Sequence, residues 1–241
     1  MKKLFVIMLS VMLMMSTALA EEDFQSMTGL DVMQSKLDDG ITIEKVYFTN
    51  GYGFSTSEFT TDDPADISLL WTALNKITVR GRVEESITDW YPTILFYLSD
   101  GTQVIVSFEA NWLCIGADNY EIENAEEFWD LTASLVQKEE EKEKIIQAWK
   151  ETVDGSWEAA SDYTITDEIR TIFDNAMKGL VGVDYVPAAY LGMKTEEGHH
   201  HAILCQATTV YPGAVPYWVI MYLSEDPDGS VTIQDIAELN W

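Results

Sequence analysis

The run Gln137-Lys138-Glu139-Glu140-Glu141-Lys142-Glu143-Lys144 contains no apolar side chain. Such a run cannot lie inside a core, because buried charges are costly unless paired. Apolar residues at helical spacing nevertheless flank it. Phe128, Leu131 and Leu135 precede it, and Ile145, Ile146, Trp149 and Val153 follow. The pattern predicts a helical connector whose middle is solvated. It divides the 241 residues into two small α+β domains. The expected organisation is a leader over 1–20, a flexible acidic lead-in over 21–40, and a domain over 41–139. The connector then spans 140–154, and a second domain covers 155–241.

Composition is ordinary for a globular chain, with 47% apolar and 23% charged residues. The charge balance is not ordinary. Fourteen Lys and Arg face 41 Asp and Glu, giving a net charge of −27. Phosphate backbones need a basic surface, so nucleic acid is excluded as an expected partner. Anionic membrane surfaces are disfavoured for the same reason. The first residues, MKKLFVIMLSVMLMMSTALA, read as a secretory signal peptide. Lys2 and Lys3 form the basic start, Leu4 to Met15 the apolar stretch, and Ala18-Leu19-Ala20 the cleavage signal. The expected mature chain begins at Glu21, and no cysteine follows the cleavage site to carry a lipid. Without Lys2 and Lys3, 12 basic residues face 41 acidic ones, a net charge of −29. Secretion, with no membrane association after cleavage, is the expected localisation.

In the first half, Ile41, Ile43 and Val46–Phe48 predict a strand, Asn50-Gly51 a turn, and Tyr52–Phe59 a second strand. Asp63 is placed to cap a helix, with Pro64 at its first position and Ile67, Leu70, Trp71 and Leu74 on one face. A strand over Ile77–Val83 follows. Thr93–Leu98, Asp100-Gly101 and Gln103–Phe108 predict a hairpin. Short strands are expected at Trp112–Ile115 and Tyr120–Ile122. Asn124 with Glu127 three residues on reads as a capping box.

The second half opens with an expected strand at Gly155-Ser156-Trp157. Thr166 is placed to cap a helix whose stripe is Ile169, Ile172, Phe173, Ala176, Met177 and Leu180. Four strands are expected at Val186–Met193, His199–Tyr211, Val215–Ser224 and Ser230–Ala237. One helix followed by a four-strand meander packs the helix on one face of an antiparallel sheet.

This order resembles the cystatin fold over about residues 155–240. The segments Gly182-Val183-Asp184-Tyr185-Val186-Pro187 through Cys205-Gln206-Ala207-Thr208-Thr209-Val210-Tyr211-Pro212 are also similar to a domain of secreted proteins of Gram-positive anaerobes. In cystatins an N-terminal glycine, a Gln-Val-Val-Ala-Gly hairpin loop and a second loop with Pro-Trp or Pro-Gly wedge into a papain-like protease. By position the resemblance implies Gly155 for the first element. It implies Lys194-Thr195-Glu196-Glu197-Gly198 for the second and Asp226-Pro227-Asp228-Gly229 for the third. The glycines and the proline are kept, and acids stand where cystatins are apolar or small. A wedge that enters a cleft buries its side chains, and unpaired buried carboxylates are costly.

Chemistry-bearing patterns are sparse. Cys114 and Cys205 each sit in an apolar run and read as buried free thiols rather than a bridge. The histidines, His199-His200-His201, are adjacent. His201 and Cys205, four apart on one strand, would lie roughly 13 Å from each other, too far for a base to activate a thiol. No nucleophile elbow, phosphate-binding glycine loop or His-Glu-x-x-His helix occurs. An enzyme is therefore not expected, and no cofactor is implied. His199 and His201 share a strand face. With Glu196 or Glu197 they could hold zinc or copper, while the plainer reading is a solvated hairpin end. The aromatic groups Trp90-Tyr91-Pro92 and Pro216-Tyr217-Trp218 read first as packing on sheet faces. The expected task is non-enzymatic binding of a protein or cell-surface ligand. Cysteine-protease inhibition and weak divalent-metal binding are the alternatives.

Overall fold

A computed structural model describes residues 27–35, 37, 40–50, 57–84, 92–109, 111–196 and 198–239. The expected leader, residues 51–56 of the first hairpin, Trp90-Tyr91 and Glu197 lie outside the described residues. The fold is α+β, with four helices and two antiparallel sheets among the described residues. The chain divides between Glu139 and Glu140 into two compact units. No helix among the described residues is long and apolar enough to cross a membrane.

The first unit holds a seven-stranded sheet. Its strands are β1 (Ile43–Thr49), β2 (Glu58–Thr61), β3 (Thr78–Val83), β4 (Thr93–Leu98), β5 (Gln103–Glu109), β6 (Trp112–Ile115) and β7 (Asp118–Glu123). They lie in the order β2-β1-β4-β5-β6-β7-β3. The β4–β5 hairpin and β6 fall where alternation and the Asp100-Gly101 turn predict. Gly101 has φ +81°, the left-handed geometry that glycine adopts without a Cβ penalty.

Two expectations fail in this unit. The lead-in is not featureless: Thr28 caps helix α1 (Gly29–Gln34) in a reciprocal capping box with Asp31. Val32 and Met33 of α1 are fully buried in the core. A helix this short shows no sequence period, so only its packing reveals it. Gly29 donates its N–H to the Ile77 carbonyl at 2.9 Å, and an added Cβ would stand 3.0 Å from the Leu74 carbonyl oxygen. The second failure is the Asn124 cap. Asn124 has φ +62° rather than the extended geometry of a cap, and its Nδ2 donates to Thr78 Oγ1 at 3.1 Å. Glu127, the expected return partner, pairs with Lys76.

Helix α2 (Pro64–Leu74) starts as expected, with the Asp63 carboxylate accepting from the Ala65 N–H at 2.9 Å. Its Asp66 is buried. It is satisfied by Thr61 Oγ1 at 3.0 Å and by Lys138 Nζ at 2.9 Å. Lys138, from the charged run, thus neutralises a core-facing carboxylate.

Helix α3 (Glu126–Thr152) is continuous through the division between the units. Its first turns bring Phe128 against Phe108, with ring centroids 4.9 Å apart. Beyond the division its expected role as a solvated connector is corrected, because Ile145, Ile146 and Trp149 are buried.

The second unit contains β8 (Glu158–Ala159), α4 (Asp167–Met177), β9 (Val183–Glu196), β10 (Gly198–Thr209), β11 (Tyr217–Glu225) and β12 (Val231–Glu238). The sheet order is β12-β11-β10-β9-β8. Gly155-Ser156-Trp157 is a turn rather than a strand, closed by Ser156 N–H to Asp154 Oδ1 at 2.9 Å. The central strand β10 is buried at every position from His201 to Cys205. Side chains alternate across a strand, so a continuous buried run requires cover on both faces. One face packs Ala202 and Leu204, with Leu191, Trp218 and Ile220, against Ile145, Ile146 and Trp149 of α3. The other packs Ile203, Cys205 and Ala207, with Val219, Met221 and Leu223, against Ile169, Ile172 and Phe173 of α4. The expected single-helix layer is therefore a three-layer arrangement. Gly192 makes room for it: a Cβ there would sit 2.4 Å from the Glu158 carbonyl oxygen and 3.1 Å from the Trp149 ring.

Trp149→Ala is expected to cost about 3–5 kcal/mol of stability, while Glu143→Ala on the exposed part of α3 stays within about 0.5 kcal/mol. Chemical denaturation of both variants checks this. Equal, small effects would return residues 140–154 to the role of a spacer.

Candidate functional site

The sheet register of the second unit decides which sequence-selected residues meet. The β9–β10 hairpin closes with Glu196 opposite Gly198, and His199 of β10 lies opposite Glu225 of β11. The turn that follows β11 carries Asp226-Pro227-Asp228-Gly229. It is closed by Asp226 N–H to the Ser230 carbonyl at 2.9 Å and Gly229 N–H to the Asp226 carbonyl at 2.8 Å. Strand β8 pairs Glu158 with Met193, so Gly155, three residues earlier, runs toward the same end of the sheet. Lys194 Nζ lies over the Trp157 ring, 5.5 Å from its centroid, and ties that segment to β9. The structure thus gathers Gly155, Lys194, Thr195, Glu196, Gly198 and the Asp226–Gly229 turn at one sheet end. Gly198 approaches β11 closely, since a Cβ would stand 2.9 Å from the Glu225 carbonyl oxygen.

This end is acidic, and hydrogen bonds favour the charged form of two of its carboxyls. The Asp228 carboxyl lies below the usual range because the Ser230 backbone and hydroxyl bond to it. The Ser156 hydroxyl and N–H do the same for Asp154, with help from the Lys194 charge. Glu196 pairs with Lys194 at 3.4 Å.

Of the alternative metal set His199, His201, Glu196 and Glu197, the last lies outside the described residues, and the two histidines sit in different surroundings. His201 is 4% exposed, and its Nδ1 shares a hydrogen bond with the Tyr190 hydroxyl at 3.1 Å. Its Nε2 faces Glu225 Oε2 at 3.4 Å, within ion-pair range but outside hydrogen-bond geometry, so the atom is buried without a hydrogen-bond partner. His199 is exposed and sits 3.5 Å from Thr195 Oγ1. Among the described residues no group of three or more His, Cys, Asp or Glu side chains could hold a metal ion. His199 and His201 differ in depth although alternation gives them one strand face, because a hairpin passes from solvent to core within two residues. Tyr190 carries no sequence signal that points to His201, because only the cross-strand register brings it there.

Burial governs the remaining candidate nucleophiles. Both cysteines are free and buried. Burial, with a contribution from the Glu109 charge, pushes the Cys114 thiol up to about 11. Burial alone pushes the Cys205 thiol far above its ordinary value. Neither supplies a thiolate near neutral pH. Burial also lowers the His201 pKa, opposed by the nearby Glu225 carboxylate.

Comparison with protein-family models, with curated proteins and with solved structures finds no match to this chain.

Native protein is expected to leave both thiols unmodified by an aromatic disulfide reagent and to expose both on unfolding. Rapid labelling of either in the folded state overturns the thiol reading. The lowered His201 pKa also sets a sign for stability. The unfolded chain takes up a proton near the ordinary value of about 6.5, while the folded chain resists until lower pH. Stability conferred by neutral, buried His201 is therefore present above about pH 6.5 and lost as pH falls through the folded pKa. Denaturation midpoints at about pH 7.5 and 5.5, on either side of the ordinary value, should separate more for the parent than for His201→Gln. Equal separations would remove His201 from the acid response.

Proposed function

We propose that the chain is an exported, non-enzymatic binding protein that recognises a protein or cell-surface ligand. The observation that carries this reading is the convergence of three segments at one end of the second sheet. They are the turn at Gly155, the β9–β10 hairpin and the Asp226–Gly229 turn. Loops set on a rigid, doubly covered sheet are a general way to present a recognition surface. The buried, protonated thiols and the buried imidazole support the non-enzymatic part. The leader-like sequence of residues 1–20 supports export.

The same convergence favours a second reading, a cystatin-like domain that inhibits papain-like proteases. In that resemblance these three segments form the wedge. Glu196, Asp226 and Asp228 weigh against insertion, since a closed cleft offers them no compensating solvent. Titration of a papain-like enzyme with the exported chain separates the two. No inhibition at about micromolar concentration is expected. Nanomolar inhibition would replace the general binding reading with the inhibitor. Edman sequencing of protein from the culture medium should begin at Glu21, and an extracellular form that starts at Met1 contradicts export by cleavage.

A further inference from the structure

The opposite end of the second sheet has the reverse character. Val181 is 87% exposed, Val215 77%, Val210 72% and Tyr211 60%, with Leu180 also exposed. These residues belong to two segments, the one between α4 and β9 and the one between β10 and β11. The Val210 N–H donates to the Gly182 carbonyl at 3.0 Å and stitches the segments together. The second segment is preorganised: Ala214 N–H bonds the Tyr211 carbonyl at 3.2 Å across Pro212-Gly213, and Gly213 takes φ +81°. These side chains contribute nothing to either core cluster of the unit. Apolar residues grouped on a stiff, solvent-facing loop pair mark an interaction surface rather than a folding requirement.

Charge identifies the occupant. Asp184, exposed, lines a groove with Thr208, Thr209, Val210, Tyr211 and Pro212, and its carboxylate has no ion-pair or hydrogen-bond partner among the described residues. A carboxylate beside apolar walls suits a lysine or arginine whose neighbours are apolar. A second copy of this chain is a poor occupant, because each copy carries a net charge of −27. An anionic bilayer is repelled on the same ground. We propose that this end of the sheet docks a polypeptide segment of mixed apolar and basic side chains, with Asp184 receiving the cation. The surface is separate from the hairpin end invoked above, so either can fail without the other.

The test uses the full chain and a short synthetic peptide of alternating leucine and lysine as probe, followed by calorimetry. Binding is expected, and Val210→Ser/Tyr211→Ser/Val215→Ser should weaken it by about tenfold or more. Asp184→Asn should weaken it by a few-fold, an effect that diminishes in high salt. Asp226→Asn/Asp228→Asn, at the other end, should leave it unchanged. A peptide with serine in place of leucine should bind weakly, and equally to the parent and the triple variant. The proposal is overturned if the triple variant binds the leucine–lysine peptide as tightly as the parent. It is equally overturned if a leucine–glutamate peptide binds as well. A parent dimer dissolved by the triple variant would make a second copy the occupant. Capture by zwitterionic vesicles, lost in that variant, would make it a lipid surface.

Discussion

The second unit depends on the burial of β10 from both sides. Ala202 and Leu204 face α3, while Ile203 and Cys205 face α4. Neither helix alone would suffice, since an apolar residue at every position leaves one face wet when only one layer covers the strand. The geometry also explains why the charged run in α3 is tolerated. Its side chains are all exposed or half-buried, so none is desolvated inside a core. Two of them serve as anchors, Lys138 on Asp66 in the first unit and Glu141 accepting from Trp218 Nε1 at 3.2 Å in the second.

From that sandwich follow two sheet ends of opposite chemistry. Strand β10 enters at Gly198 among acidic residues and leaves at Thr209 among exposed valines. From His201 to Cys205 every side chain is buried, which removes Cys205 and His201 from solution chemistry despite their reactive types. The solvent-facing charged and apolar residues of this unit gather at its two sheet ends, where the proposed recognition surfaces lie.

His201 is a buried titratable group in a largely apolar interior. Its ring is held by Tyr190 and faces Glu225, and its imidazole is kept neutral by burial. A buried group whose second nitrogen lacks a hydrogen bond is a weak point in stability under acid. It lies directly beneath the hairpin end, at the strand position two residues beyond His199.

The elements that local rules govern were legible from the residues alone. Asp63-Pro64 and Thr166 set helix starts because caps act within one turn. Asp100-Gly101 set the β4–β5 register because a tight turn leaves one pairing. The leader-like composition and the acidity are likewise properties of sequence. Tertiary structure decided what depends on long-range partners. Helix α1 exists because Val32 and Met33 find a core. Asn124 gave up its cap for Thr78, a residue distant in sequence. Ile145, Ile146 and Trp149 became core because a second sheet face needed cover, and periodicity shows a stripe without showing what it meets. The fate of His199 and His201 turned on register, which moves a side chain from solvent to interior over one hairpin turn and which no single strand encodes.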